Sequence, residues 1–119
     1  MKIVEHQVNN STIAEISSED IIIHSSEDAL DLLGNVYYQG FDKVILFEKN
    51  IIPDFFDLKN GLAGEILQKF SNYRIRLAIV GDFSKYTRKS IKDFILESNN
   101  GKQINFQSSL SEALSSFTS

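Results

Sequence analysis

Hydrophobic and polar residues follow two different periods along the 119-residue chain. A period of two marks the segments Lys2 to Gln7 and Thr12 to Ser17, on either side of the polar turn Asn9 to Ser11. Such alternation is typical of strands with one buried face, and the short turn predicts a β-hairpin. The apolar run Ile21 to Ser25 follows, and its length fits either a third strand or a buried connector.

Apolar residues at helical spacing then predict four helices. Ser25 or Ser26 can cap the first, and Asp28, three residues after Ser25, completes a variant of the capping box. Ser109 and Glu112 form the same pattern at the start of the last helix. The apolar stripes are Ala29, Leu32, Leu33 and Val36 in the first helix; Leu62, Ala63, Ile66, Leu67 and Phe70 in the second, which begins at Asn60 or Gly61; Ile91, Phe94 and Ile95 in the third; and Leu114 and Phe117 in the last.

Nearly continuous apolar runs separate these helices. Lys43 to Glu48 and Ile75 to Gly81 fit strands that are buried on both faces, and Gln103 to Gln107 adds another strand. Strands that alternate with helices favour parallel pairing through crossovers. The chain therefore predicts one α/β domain over residues 1–119, with a mixed, mostly parallel sheet, an N-terminal β-hairpin and about four helices.

Composition narrows the function classes. A protein that binds duplex DNA needs a basic surface, so the net charge of −4 and the pI near 5.1 disfavour this class. The absence of cysteine excludes disulfides, zinc–thiolate sites and a cysteine nucleophile. The start has no apolar signal core, and no apolar run approaches the roughly 20 residues that span a bilayer. We expect a cytosolic protein that binds neither nucleic acid nor membrane and has no cofactor or metal.

The chain resembles two known families. The segments "PDFFDLK", "GLAGEILQKFSNYR" and "LAIVGDFS" resemble the bacterial family named for domain of unknown function 4180. The element order resembles the STAS domain of anti-sigma factor antagonists, whose functional loop precedes the second helix. STAS antagonists carry a phosphorylatable serine there, usually after an aspartate. Asp57 is present in this chain, but Lys59 or Asn60 stands near the place of the serine. The phosphorylation switch is therefore not expected.

The loop between Glu48 and Gly61 is the longest of three that should lie at the carboxyl edge of the sheet, where ligands bind in such folds. The other two are His24 to Glu27 and Gly81 to Tyr86. In the long loop, Asp57 or Asn60 fits a helix cap, but a loop of this length is often functional. The candidate site residues are Asp54, Phe55, Phe56, Asp57, Lys59 and Gly61 in this loop, and Asp82, Ser84 and Lys85 in the third.

Phe55 and Phe56 are neighbours, so in an extended segment their side chains point to opposite sides. We therefore expect one to enter the core and the other to face solvent or a partner, where an exposed aromatic residue anchors interfaces. The alternative is that both pack under the loop. The leading interpretation is a non-enzymatic, STAS-like binding or regulatory domain that acts through residues 54–61 by associating with a protein partner or with itself as a homodimer. The alternative is a protein that binds a small molecule or anion, or a small enzyme, with its site between residues 54–61 and 81–86. In that case Asp57 or His24 would be the acid–base group.

Overall fold

The computed structural model describes residues 1–118 and confirms the predicted α/β fold, with five strands and four α-helices in this range. The elements in chain order are β1 (Lys2–Val8), β2 (Ser11–Ser17), α1 (Ser26–Tyr38), β3 (Lys43–Phe47), α2 (Leu62–Asn72), β4 (Arg76–Val80), α3 (Lys89–Asn100), β5 (Ile104–Gln107) and α4 (Leu110–Ser116).

The strands lie side by side in the order in which they occur along the chain. The hairpin strands β1 and β2 are antiparallel, and every later pairing is parallel. In the central pair, the last residue of β3, Phe47, lies opposite the last residue of β4, Val80. The segments that follow these two strands therefore begin next to each other at the carboxyl edge of the sheet.

The helices divide between the two faces of the sheet. Alternate strand residues, such as Val44 and Leu77, pack with α1, α2 and α3 in the main core. The intervening residues Ile45 and Ala78 pack with α4 in a smaller cluster that includes Phe117. Because both faces are covered along β3 and β4, these strands are apolar without alternation, as the sequence indicates.

The run Ile21 to Ser25 is a buried connector and not a full strand. It forms a single parallel bridge, between Ile23 and Ile51. The backbone amides of Ile22 and Ile23 donate to the carbonyl of Asn50 at 2.8 and 3.1 Å. The side chain of Asn50 is buried and donates from Nδ2 to the carbonyls of Ser18 and Asp20, each at 2.8 Å. One asparagine thus attaches the segment before α1 to the loop after β3.

The predicted helix caps are present. The Ser25 hydroxyl accepts from the amide of Asp28 at 3.3 Å, and the Ser109 hydroxyl accepts from the amide of Glu112 at 3.1 Å. At the second helix, the side-chain oxygen of Asn60 accepts from the amide of Leu62 at 2.9 Å. These contacts satisfy amides that helical hydrogen bonds leave unpaired.

The expectation that one of the two adjacent phenylalanines is exposed is wrong. Phe55 and Phe56 are 1% and 8% exposed, and both pack in the main core. The reason is that residues Pro53–Phe56 form a 3₁₀ turn and not an extended segment. Successive side chains in a 3₁₀ turn are roughly 120° apart, so two neighbours can both reach the core.

Candidate functional site

Glu48 is the first residue after β3, and its side chain lies across the backbone of Gly81, the first residue after β4. A Cβ atom placed on Gly81 would lie 2.6 Å from both Cβ and Oε1 of Glu48, well inside van der Waals contact. The φ angle of this glycine is not in the left-handed region, so the close approach, and not the backbone conformation, requires glycine here.

Two side chains from the loop after β4 converge on the carboxylate of Glu48. The hydroxyl of Tyr86 donates to Oε2 at 2.5 Å, and Nζ of Lys85 lies 2.8 Å from the same oxygen. Burial raises the pKa of Tyr86, and the hydrogen bond and negative charge of Glu48 raise it further. The phenol therefore keeps its proton at neutral pH and acts as a hydrogen-bond donor.

The ring of Tyr86 also belongs to an aromatic cluster. It stacks on Phe56 with ring centroids 4.8 Å apart, and Phe56 contacts Phe55 edge-on at 4.9 Å. Phe83 forms a triangle with these two rings, 6.3 Å from Tyr86 and 6.1 Å from Phe56, and meets Phe106 edge-on at 5.2 Å. Offset and edge-on pairs of this kind stabilise the arrangement beyond the area that they bury. The cluster holds the Tyr86 hydroxyl in position beside Glu48.

Two cavities flank the stacked pair, and together we call them the carboxyl-edge groove. One, of about 360 Å³, is lined by Ile21, Glu48, Lys49, Ile51, Pro53, Phe56, Lys85 and Tyr86. The other, of about 320 Å³, is lined by Pro53, Phe56, Asp57, Lys85, Tyr86, Thr87, Arg88 and Ile91. Each cavity has two cationic side chains and one carboxylate, although the chain as a whole carries a net charge of −4.

Three predicted site residues line this groove: Phe56, Asp57 and Lys85. Asp57 faces Arg88 across the second cavity, with 3.8 Å between a carboxylate oxygen and a guanidinium nitrogen. Phe55 supports the groove from below through its contact with Phe56.

The other predicted site residues do not line the groove. Asp82 accepts from the hydroxyl and the amide of Ser84, and these two bonds, with the nearby charge of Lys85, lower its pKa. Asp82 and Ser84 thereby hold the turn that carries Lys85 and Tyr86. The amide of Gly61 donates to the carbonyl of Leu58 at 3.3 Å and is not directed at the groove. Asp54 and Lys59 are exposed nearby.

The proposed acid–base alternative His24 also lies elsewhere. Its ring nitrogen Nδ1 is 3.1 Å from the carboxylate of Asp28, which also accepts from the backbone amide of His24. Both groups therefore support the start of α1. Within residues 1–118, no three histidine, aspartate or glutamate side chains converge where they could hold a metal ion.

The sequence indicates Glu48 and Tyr86 as polar residues of the two loops but does not predict that they are partners. Their partnership joins residues 38 positions apart. The one signal that points to it is the glycine directly after β4, opposite a glutamate directly after β3. That signal has meaning only once the register of the two strands is known.

Comparison with known proteins gives a family and no further relative. The family described as domain of unknown function (DUF4180) matches residues 8–117, so the chain belongs to it. No curated protein and no solved structure gave a match. The likeness to STAS domains therefore stays a prediction. No helix in the described part of the chain has the length and apolar character that crossing a membrane requires.

Proposed function

We propose that the protein is a non-enzymatic binding domain whose carboxyl-edge groove takes a small organic anion with an apolar ring. The observation that carries the proposal is the position of Lys85, which lies where the two cavities meet and beside the stacked rings of Phe56 and Tyr86. Glu48 occupies one of the three donor positions of its ammonium group, which leaves the others for a ligand.

Charge and shape support the same class of ligand. Lys49 and Arg88 add a cation at each end of the groove, and Pro53 with the two rings supplies an apolar wall. Binding sites for small molecules commonly combine such walls with a few convergent polar groups at the carboxyl edge of α/β sheets. The excess of cations over carboxylates favours an anion, and a carboxylate or phosphate group fits the guanidinium of Arg88.

The state of Tyr86 supports binding in preference to catalysis. An acid–base catalyst works best with a pKa close to the operating pH. The raised pKa of Tyr86 moves this phenol away from that range. In our proposal Tyr86 keeps the Glu48 carboxylate in place, so that Glu48 in turn positions Lys85.

The leading sequence interpretation, protein association through residues 54–61, has less support. Its anchor was an exposed phenylalanine, and both Phe55 and Phe56 are buried. Asp54, Asp57 and Lys59 remain exposed on this loop, so a polar contact with a partner there stays a prediction, as does a cytosolic location.

Thermal denaturation with benzoate tests the proposal, because a ligand that binds only the folded state raises the apparent stability. We expect benzoate to raise the melting temperature and the neutral isostere benzamide to leave it unchanged. Lys85→Ala and Arg88→Ala should each remove the benzoate effect. Lys2→Ala, which removes an exposed lysine on β1, is the matched control and should retain it.

Two results would contradict the proposal. One is the absence of any stabilisation by benzoate and by a panel of related aromatic carboxylates and phosphates. The other is a stabilisation that Lys2→Ala reduces as much as Lys85→Ala does, because the anion would then respond to general surface charge.

A further inference from the structure

A second groove, of about 890 Å³, lies at the opposite, amino edge of the sheet, between the ends of α1 and α2. Its walls include Tyr37, Phe41, Asp42, Tyr73, Arg74 and Ile75. We call it the amino-edge groove. It shares no lining residue with the carboxyl-edge groove, so what it binds is a separate question from the anion proposed above.

Two tyrosines line this groove, the exposed Tyr37 and the partly buried Tyr73. Tyr37 is 63% exposed and meets the ring of Tyr73 edge-on, with 5.7 Å between centroids. Tyr38, the next residue, is 91% exposed, so that nearly the whole side chain projects from the surface. Tyrosine and arginine, with tryptophan, are the residue types that most often carry binding energy at protein interfaces.

Arg74 contributes a cation to the groove at a conformational cost. It has a φ of +55°, in the left-handed region that favours glycine. The matching position after α1 is Gly40, with a φ of +89°, and the two turns share the same hydrogen-bond pattern. Glycine would therefore make this turn without strain. Among residues 1–118, the guanidinium of Arg74 has no hydrogen-bond or ion-pair partner.

The edge offers a projecting ring and a concave groove. Tyr38 ends α1, directly after the lining residue Tyr37, and does not line the groove of its own copy, so its ring is free to enter the groove of a second copy related by a two-fold axis. Charge agrees with this pairing, because Arg74 and Asp42 both line the groove. Asp42 is 3.2 Å from Lys43 through one carboxylate oxygen, and its side chain is 68% exposed, which leaves it accessible to a second cation.

We propose that the amino edge is a self-association surface, on which Tyr38 of each copy enters the groove of the other and Arg74 pairs with Asp42 across a two-fold axis. An interface of this kind uses the same patch on both copies and therefore closes at a dimer. It also provides a site for self-association that does not depend on Phe55 or Phe56.

Sedimentation velocity across a wide range of protein concentration tests the inference. We expect a monomer–dimer equilibrium, with a dissociation constant that Tyr38→Ser raises about tenfold or more, as for an interface hot spot. Leu96→Ser is the matched control, because Leu96 is another large hydrophobic side chain that is exposed, at 64%, and lies on α3, away from the groove. It should leave the dissociation constant unchanged.

Charge reversal then tests the pairing itself. Arg74→Asp and Asp42→Arg should each weaken the dimer, because each places like charges across the axis, and the double variant should restore it. A monomer at every concentration overturns the proposal. So does a dimer that Tyr38→Ser leaves intact, one that Leu96→Ser weakens as much, or a double reversal that restores nothing. Since all four positions are exposed, circular dichroism should show a native fold in every variant.

Discussion

The side chain of Glu48 fills the space in which a side chain at position 81 would lie. A Cβ atom on Gly81 would be 2.6 Å from Glu48 Cβ and Oε1, and the carboxylate beyond that contact receives Tyr86 and Lys85. The groove therefore depends on a residue that contributes no side chain to it. Glycine directly after β4 allows the first side chain after β3 to cross to the residues that hold it.

The first prediction follows from that contact. Gly81→Ala should lower the free energy of unfolding by about 1–3 kcal/mol, because the added methyl group forces Glu48 away from Tyr86 and Lys85. Urea denaturation measures this change in the free energy of unfolding. Gly64→Ala is the matched control: a Cβ on Gly64 meets nothing within 4 Å, and the position is inside α2. It should raise the free energy of unfolding by about 1 kcal/mol. Equal effects at the two glycines would contradict the close packing of Glu48 on Gly81.

The second prediction concerns Tyr86. Tyr86→Phe removes a hydrogen bond to a carboxylate and should lower the free energy of unfolding by roughly 1–2 kcal/mol at neutral pH. The raised pKa of Tyr86 also predicts the direction in which stability changes in alkaline solution. The unfolded chain releases this proton above about pH 10, whereas the folded protein holds it, so the contribution of Tyr86 is complete below pH 10 and declines above it.

Urea denaturation as a function of pH separates this effect from other groups. We expect stability to fall less steeply above pH 10 in Tyr86→Phe than in the wild type. Tyr38→Phe, at an almost fully exposed tyrosine, should have the wild-type slope. If both variants have the same alkaline slope as the wild type, Tyr86 ionises normally and its hydrogen bond to Glu48 is not maintained.

The sequence predicts the fold well because its signals are local. Each helix carries an apolar stripe, and capping residues such as Ser25 and Ser109 mark where two of them begin. The strands lie in the sheet in the order in which they occur along the chain, so each strand pairs with the next one in sequence. Periodicity and capping are properties of a few adjacent residues, and sequence shows them directly.

The site is predicted less well because it depends on register and on a turn type. Phe55 and Phe56 both turn inward since residues Pro53–Phe56 form a 3₁₀ turn, which the sequence does not distinguish from an extended loop. The sequence indicates Lys85 as a site residue but does not predict its pairing with Glu48. That pairing requires knowing that the ends of β3 and β4 coincide, and no pattern within either loop contains this information.

The third prediction concerns Asn50, which is 1% exposed. In Asn50→Asp, a carboxylate oxygen replaces the amide nitrogen that donates to the carbonyls of Ser18 and Asp20. This oxygen can only accept hydrogen bonds, and it would face two carbonyl oxygens. An uncompensated buried charge should lower the free energy of unfolding by about 3–5 kcal/mol at neutral pH. Burial would raise the pKa of the new carboxyl, so the deficit should shrink as pH falls and the group takes up a proton.

Thermal denaturation at several pH values checks the change at Asn50. Asn10→Asp, at the exposed hairpin turn, is the control and should stay within about 0.5 kcal/mol of the wild type. A small loss of stability in Asn50→Asp would show that the amide does not hold the connector to the loop after β3.

The last prediction separates the two roles of Arg74. Arg74→Gly relieves a left-handed conformation that costs the folded protein roughly 1–2 kcal/mol. The greater backbone freedom of glycine stabilises the unfolded chain and offsets about 0.5–1 kcal/mol of this gain in stability. We therefore expect the variant monomer to be about 0.5–1 kcal/mol more stable in urea denaturation at low protein concentration. Gln68→Gly, at a right-handed position inside the preceding helix α2, should lower stability by about as much. In sedimentation velocity, Arg74→Gly should weaken the dimer proposed at the amino edge. A variant with a more stable monomer and a weaker dimer would mean that Arg74 contributes to the interface and destabilises the turn. A less stable monomer would contradict the strain at position 74, and unchanged dimerisation would remove Arg74 from the interface.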